Sequence, residues 1–253
     1  MRRLTGALLT AFFVAYPMGA LAGGEAAQSL GYHDGTVVVP GAMEEICPGA
    51  TLQQRDDGSF ENGYWWCYGG IMEPDYGSWA QCFSDDFVCG IQFILTQVGT
   101  YEGQTMDVYV WDRSSDGTPP DPKPGNVLWV LHDLDPGPPA FWPEVSEHNV
   151  QVCCIPGGDH FIGFWPNSPG DCTGWYIAAD ENGPGGSAAR TKVAPGIGLP
   201  TGWHAPNSLG APFDDCQALG MREFTGYGDC EAASVPEEGE IVPQTWGAIK
   251  QLY

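Results

Sequence analysis

The stretch DHFIGFWPNSPGDCTGWYIAADENGPGG, residues 159–186, carries the clearest folding signal in the chain. Phe161, Gly163 and Trp165 alternate with Ile162 and Phe164, the period of two expected of a strand with two distinct faces. A second apolar run follows a Pro/Asn/Ser/Gly turn, so 159–165 and 172–178 read as the two strands of one hairpin. It closes on an acidic, glycine-rich loop in which Asp180, Glu181 and Asn182 present three oxygen-bearing side chains in succession.

The same pattern extends outward. Strands are expected at 36–40, 79–83, 88–98, 105–112, 126–133, 148–155 and 217–224, and an aromatic run at Tyr64, Trp65 and Trp66 follows the turn signals Asp57-Gly58 and Asn62-Gly63. Within 105–112, Met106, Val108 and Val110 form one face, with Asp107, Tyr109 and Trp111 on the other. Leu219, Met221 and Glu223 alternate in the same way with Gly220, Arg222 and Phe224. The connections are rich in Pro, Gly and Asp, and no run of ten or more residues in the body has helical apolar spacing. These features predict an all-β protein, an antiparallel β-sandwich of jelly-roll or Greek-key type. They exclude a parallel βαβ architecture, which needs crossover helices.

Met1-Arg2-Arg3, an apolar run from residue 7 to 15 and Ala20-Leu21-Ala22 form the charged, apolar and small-residue regions of a secretory signal peptide, residues 1–22. Export through the Sec route to the cell surface, periplasm or medium is expected. No stretch approaches the ~18 apolar residues of a membrane-spanning helix. A leading segment, 23–54, holds one strand, Thr36, Val37, Val38 and Val39; it reads as a first edge strand or, more sharply, as a donor strand for a neighbouring copy. The sandwich domain is expected over 55–225, followed by an acidic linker at 226–244. In the tail, 245–253, Thr245 can cap a short helix with Trp246, Ile249 and Leu252 on one side. So short a peptide is not helical alone and must dock on its own domain, a neighbour or an export machine.

The chain carries 32 Asp and Glu against nine Lys and Arg, a formal charge of −23. Removing residues 1–22 takes two of those nine cations, Arg2 and Arg3. Such a chain repels nucleic acid and anionic membranes, whose binding needs clustered Lys and Arg. Nine cysteines in an exported chain point to disulfides, and the odd number leaves one over. Cys82 is expected to close a local loop with Cys89, and Cys216 to hold the tail through Cys230. Cys172 is expected to meet Cys153 or Cys154, and Cys47 to meet Cys67.

The set DDGSFENGYWWCYGG (56–70), VCGIQFILT (88–96), GFWPNSPG (163–170), GWYIAADENGPGG (174–186), RTKVAPGIGLPTGW (190–203) and TWGAIKQLY (245–253) resembles a group of uncharacterised exported bacterial proteins. These look like single β-sandwich domains ending in a Thr/Ser-Trp-Gly-x-Ile/Val-Lys-x-Leu tail. The resemblance implies the fold, export and a tail similar to a sorting or assembly signal. It implies no cofactor and no catalytic residue. The high cysteine count sets this chain apart from the group.

Little in the chain points to catalysis. There is no G-x-S-x-G elbow, and the five histidines lack metal-ligand spacing. Asp159 and His160 are adjacent on a strand and so point to opposite faces. Paired acids are numerous, and a glycosidase would need two of them across a sugar cleft. Calcium is the better candidate ligand, because Asp56, Asp57 and Glu61 in one loop and Asp180, Glu181 and Asn182 in another offer oxygens beside turn-forming Gly. The same residues also suit turns on backbone geometry alone. Trp142 and Trp203, both in Pro/Gly loops, are the aromatics expected to be exposed for stacking on sugars. The expected function is a non-enzymatic exported structural or adhesive protein that self-associates by strand addition or joins other cell-surface components. A glycan-binding module is the alternative and a secreted hydrolase the third reading.

Overall fold

The computed structural model describes residues 26–34, 36–39, 47–68, 75–99, 104–114, 122–167, 174–185 and 188–226. The signal-peptide segment, the linker beyond residue 226, the tail with Trp246, Ile249 and Leu252, and Cys172 and Cys230 lie outside them.

The described residues form β1 (Ala27–Ser29), β2 (Val38–Val39), β3 (Thr51–Gln53), β4 (Asn62–Trp66), β5 (Trp79–Phe83), β6 (Val88–Gln97), β7 (Met106–Arg113), β8 (Pro124–Leu134), β9 (Ala140–Phe141), β10 (Val145–Cys154), β11 (His160–Pro166), β12 (Trp175–Asp180), β13 (Ala189–Val193), β14 (Gly202–His204), β15 (Ala218–Leu219) and β16 (Met221–Thr225), with one 3-10 turn at Pro206–Ser208. The first sheet runs β1-β4-β12-β6-β10-β2; β16 also pairs with β6 and β3, β15 with β12 and β9 with β6. The second runs β14-β13-β5-β11-β7-β8. All pairings are antiparallel except β2 with β10 and β9 with β6. The all-β reading is therefore met, as two facing sheets.

The alternation seen in sequence sorts side chains between two clusters. Ile162 and Phe164 of β11, with Met106, Val108 and Val110 of β7, face the first sheet and pack with Tyr64, Phe93, Leu95, Ile177 and Met221. Phe93 and Phe164 meet edge to face across the sheets at 5.4 Å. Phe161 and Trp165 point the other way and join Ala80, Tyr109 and Trp111. Gly163 sits between them. A Cβ there would lie 2.1 Å from the Trp79 carbonyl oxygen and 3.0 Å from the Trp111 ring, so only glycine lets β5 and β11 close.

The expected hairpin is corrected. β11 pairs with β5 and β7 in the second sheet, whereas β12 pairs with β4, β6 and β15 in the first. The two strands therefore lie in different sheets and form no hairpin, and the eight positions between them in the chain exceed the two to five of ordinary hairpin loops. Both strands are apolar on both faces, which suits interior positions with neighbours on each side. Strands β1 and β3, within residues 23–54, are built into the first sheet, and β9, β13 and β14 are too short or too polar to announce themselves.

The cysteine pairing is also corrected. Cys89 bonds Cys47 rather than Cys82, and Cys47 therefore does not bond Cys67. Cys82 ends near the close of β5 in the second sheet and Cys89 begins β6 in the first, so proximity in sequence is not proximity across the sandwich. A link spanning 42 residues removes roughly 4 kcal/mol of loop-closure freedom from the unfolded chain. Cys67 and Cys153 are disulfide-bonded too. Cys82, Cys154 and Cys216 are free thiols, which removes the expected bonds from Cys216 to Cys230 and from Cys172 to Cys154. Burial pushes Cys154 up to about 11 and Cys216 higher still, so both are unreactive thiols at neutral pH.

Candidate functional site

Antiparallel pairing of β4 with β12 places Asn62 opposite Ala179 and so brings the two acidic loops together. All six residues nominated for calcium meet there. The oxygens, however, face hydrogen-bond donors. Asp56 receives Nε and Nη2 of Arg222 at 3.1 and 2.6 Å, and the Gly58 amide at 3.1 Å. Asp57 caps the amide of Ser59. The Glu181 amide donates to Glu61 at 2.9 Å, and the Ser59 hydroxyl, 2.7 Å from both Asp57 and Glu61, has one proton to share between them. Asp180 accepts from the amides of Asp57, Asn182 and Gly183 at 2.9, 3.0 and 2.6 Å. Glu181 accepts from Asn62 at 2.8 Å and from the Tyr64 hydroxyl. Burial raises the pKa of Asp180 while its three amide donors oppose the shift. Among the described residues, no group of three or more His, Cys, Asp or Glu is arranged to hold a metal ion. What this arrangement does is fasten the 55–61 loop over the outer face of the first sheet. Phe60 fills a small cluster there with Ile94, Val145 and Ala178, and Arg222 stacks on its ring.

Three polar centres escaped the sequence reading. In the core, His160 Nε2 of β11 lies 2.8 Å from Glu223 Oε2 of β16, both without solvent exposure. His160 Nδ1 lies 2.8 Å from the Gly158 carbonyl oxygen. Burial pulls the imidazole down, but Glu223 and that carbonyl outweigh it and its pKa is raised. Glu223 is pushed up to about 7, first by burial and then by Asp85, against the pull of His160. Its Oε1 is buried without a hydrogen-bond partner, a cost that adds to burial in disfavouring the charged carboxylate.

At the junction of β7, β8 and β11, buried Asp107 receives Asn167 Nδ2 at 2.8 Å and the Asp133 amide at 2.9 Å, with His132 Nδ1 at 2.6 Å. Asp133 takes a left-handed conformation, φ 56°, to make that contact. The third centre is Ser146 Oγ, 2.8 Å from His148 Nε2, with His148 Nδ1 at 2.5 Å from the Pro136 carbonyl. Burial lowers the pKa of His148, so the ring is neutral, donates to the carbonyl and accepts from serine. Ser-x-His on a strand puts both side chains on one face, the signal that could have found this pair. Ser146 is buried and its oxygen is already occupied by the Ala140 amide at 2.9 Å. The dyad ties the β8–β10 connection to the first sheet.

Trp142 and Trp203 lie on different sheets and are both half-buried. Trp142 packs against the Phe60 cluster and edge-on to His33, whereas Trp203 abuts Trp111 at 5.5 Å under the Lys192 ammonium. They form no joint platform. Val38 and Val39 pair with β10 of their own chain, and the Val37 carbonyl accepts from the Val145 amide.

β8, eleven residues long, closes one side of the second sheet and pairs only with β7 among the described residues. Val127, Leu128 and Leu131 are 51%, 43% and 37% exposed. Residues 124–132 carry no formal charge at neutral pH other than the titratable His132.

Comparison of the chain with protein-family models, curated proteins and solved structures finds no match. No helix among the described residues is long and apolar enough to cross a membrane.

Proposed function

We propose that this is an exported, non-enzymatic structural protein that assembles with copies of itself through the edge of β8. The observation that carries the reading is that edge: a long apolar strand with one side unpaired among the described residues. Natural proteins shield such edges with charge, and this one is bare of charge along its middle although the chain as a whole is strongly acidic. Two copies repel everywhere except at a neutral patch, which favours β8 meeting β8. Antiparallel pairing about a two-fold axis would use the same residues on both sides and close the contact. Export is supported by the 1–22 signal-peptide pattern, by the disulfide chemistry and by the resemblance to exported sandwich proteins. The acidic loops and buried histidines serve this reading as fasteners of a rigid building block.

Sedimentation velocity over a range of concentrations tests it. The mature protein is expected to associate reversibly, and Val127→Lys with Leu128→Lys to leave a monomer with an unchanged circular dichroism spectrum. A wild-type protein that stays monomeric at high concentration, or association indifferent to the two lysines, refutes the proposal.

A further inference from the structure

A cavity of about 330 Å³ opens beside β1, at the far edge of the first sheet from β2. Its lining is Ala26 and Ala27 of the β1 region, Trp66 at the end of β4, and Leu199, Ala211, Pro212 and Phe213 from the segment after β13. Apart from one indole N–H, these side chains are apolar. The floor is stiff: Trp66 and Phe213 meet at 5.0 Å, and Trp79 lies 5.6 Å from Phe213 and 6.1 Å from Trp66. The volume stands at the bottom of the range of roughly 300–1,000 Å³ for small-molecule sites. It suits one or two large side chains better than a whole organic ligand. The one polar side-chain group in the wall, the Trp66 indole N–H, is already given to Thr191 Oγ1, so the side chains select by shape and apolarity.

We propose that this cavity is the seat of the chain's own 245–253 segment, TWGAIKQLY, with Trp246 as the anchor. That segment holds three large apolar side chains, Trp246, Ile249 and Leu252, at a spacing that gives a single apolar stripe. It is too short to hold a conformation without a surface to bury the stripe on. Reach is not limiting. Residues 227–244 separate it from the last described residue, and that linker spans up to about 60 Å extended. A coil of that length would average about 24 Å end to end, which would give the tail an effective concentration in the millimolar range. Residues 226–244 carry five acidic residues and 245–253 none, so apolar burial is easiest for the terminal segment. The Trp246 ring would cover the half-buried Ala26, Leu199 and Pro212 and the exposed Ala211, above the buried Trp66–Phe213 pair. The site is separate from β8, which lies on the other sheet, so docking and self-association are independent.

Fluorescence anisotropy of a fluorescein-labelled TWGAIKQLY peptide tests the docking with full-length protein at nanomolar concentration. The Trp246→Ala chain, whose seat is free, is expected to bind the peptide at least tenfold more tightly than wild type, whose own tail competes. Ala211→Trp, placed at the exposed rim of the cavity in the Trp246→Ala background, is expected to abolish binding while leaving the melting curve unchanged. A peptide with its tryptophan replaced by alanine is expected not to bind. Absence of saturable binding to the Trp246→Ala chain overturns the proposal, as does equal binding with Ala211→Trp. Wild type binding as tightly as Trp246→Ala overturns docking within the same chain. The lysine variants of β8 retain peptide binding, so failure of self-association and failure of tail docking are read separately.

Discussion

His160 and Glu223 join the two sheets: Nε2 of one and Oε2 of the other lie 2.8 Å apart in the core, and neither side chain reaches solvent. Their strands stand in opposite sheets, so the pair links the halves of the sandwich through a single hydrogen bond whose strength depends on protonation.

Stability is therefore expected to fall as pH rises through neutrality. Glu223 titrates at about 7 in the folded protein and near 4.5 when unfolded, and the His160 pKa is also raised by folding. Across that window the folded state binds more protons than the unfolded state. Its advantage is complete below about 4.5 and is lost on ionisation, at a cost of about 3 kcal/mol for Glu223. Melting followed by calorimetry from about pH 5 to pH 8 should show a declining midpoint. Glu223→Gln, which keeps a neutral group of the same shape, should flatten that decline; an unaltered slope would remove the pair as its cause.

The paired acidic loops are expected to act as a clamp in the absence of any added cation. Asp56→Asn leaves the buried Arg222 guanidinium without its bidentate partner, with Glu147 at 3.8 Å as the one remaining carboxylate among the described residues. A loss of about 3 kcal/mol should follow in denaturant titration. On the same reasoning a chelator leaves the wild-type melting midpoint where it was. A midpoint that drops with chelator and recovers with calcium would make the loops a cation site instead.

Gly163→Ala should be among the most damaging single-methyl additions in the protein. The added Cβ meets backbone at 2.1 Å, which no rotamer change relieves, and the strain falls on the contact of β5 with β11. A loss of about 3 kcal/mol is expected, the upper end for overpacking. Normal stability in urea denaturation would mean that the two strands part with little cost.

Much of the fold is legible in the chain because a strand's side-chain period is local. The alternation of Ile162 and Phe164 with Phe161 and Trp165 needed no tertiary information to read, and the same holds for β7 and β16. Partner choice is another matter. The runs on either side of Pro166 are adjacent in sequence, and adjacency alone favours a hairpin. Both are apolar on two faces, and such strands are stable inside a sheet wherever two neighbours exist.

The candidate site divides along the same line. Residue types marked Asp56, Asp57, Glu61, Asp180, Glu181 and Asn182 as a set of oxygens, and the pairing of β4 with β12 made them neighbours. Only the fold aimed those oxygens at amides and at Arg222, because backbone donors become partners once a loop has closed. Cys47 and Cys89 teach the same lesson, being 42 residues apart and bonded, while Cys82, seven residues from Cys89, is free.

Sequence by itself determined that this chain is all-β and strongly acidic, and which face the side chains of β7, β11 and β16 take. Those properties follow from composition and from a two-residue period, both independent of distant parts of the chain. Tertiary structure decided which strands are neighbours, which cysteines bond, that His160 meets Glu223, and that β8 is left at an edge. Each of these depends on contacts between residues far apart in the chain, whose closeness is set by the packing of two whole sheets rather than by any local pattern.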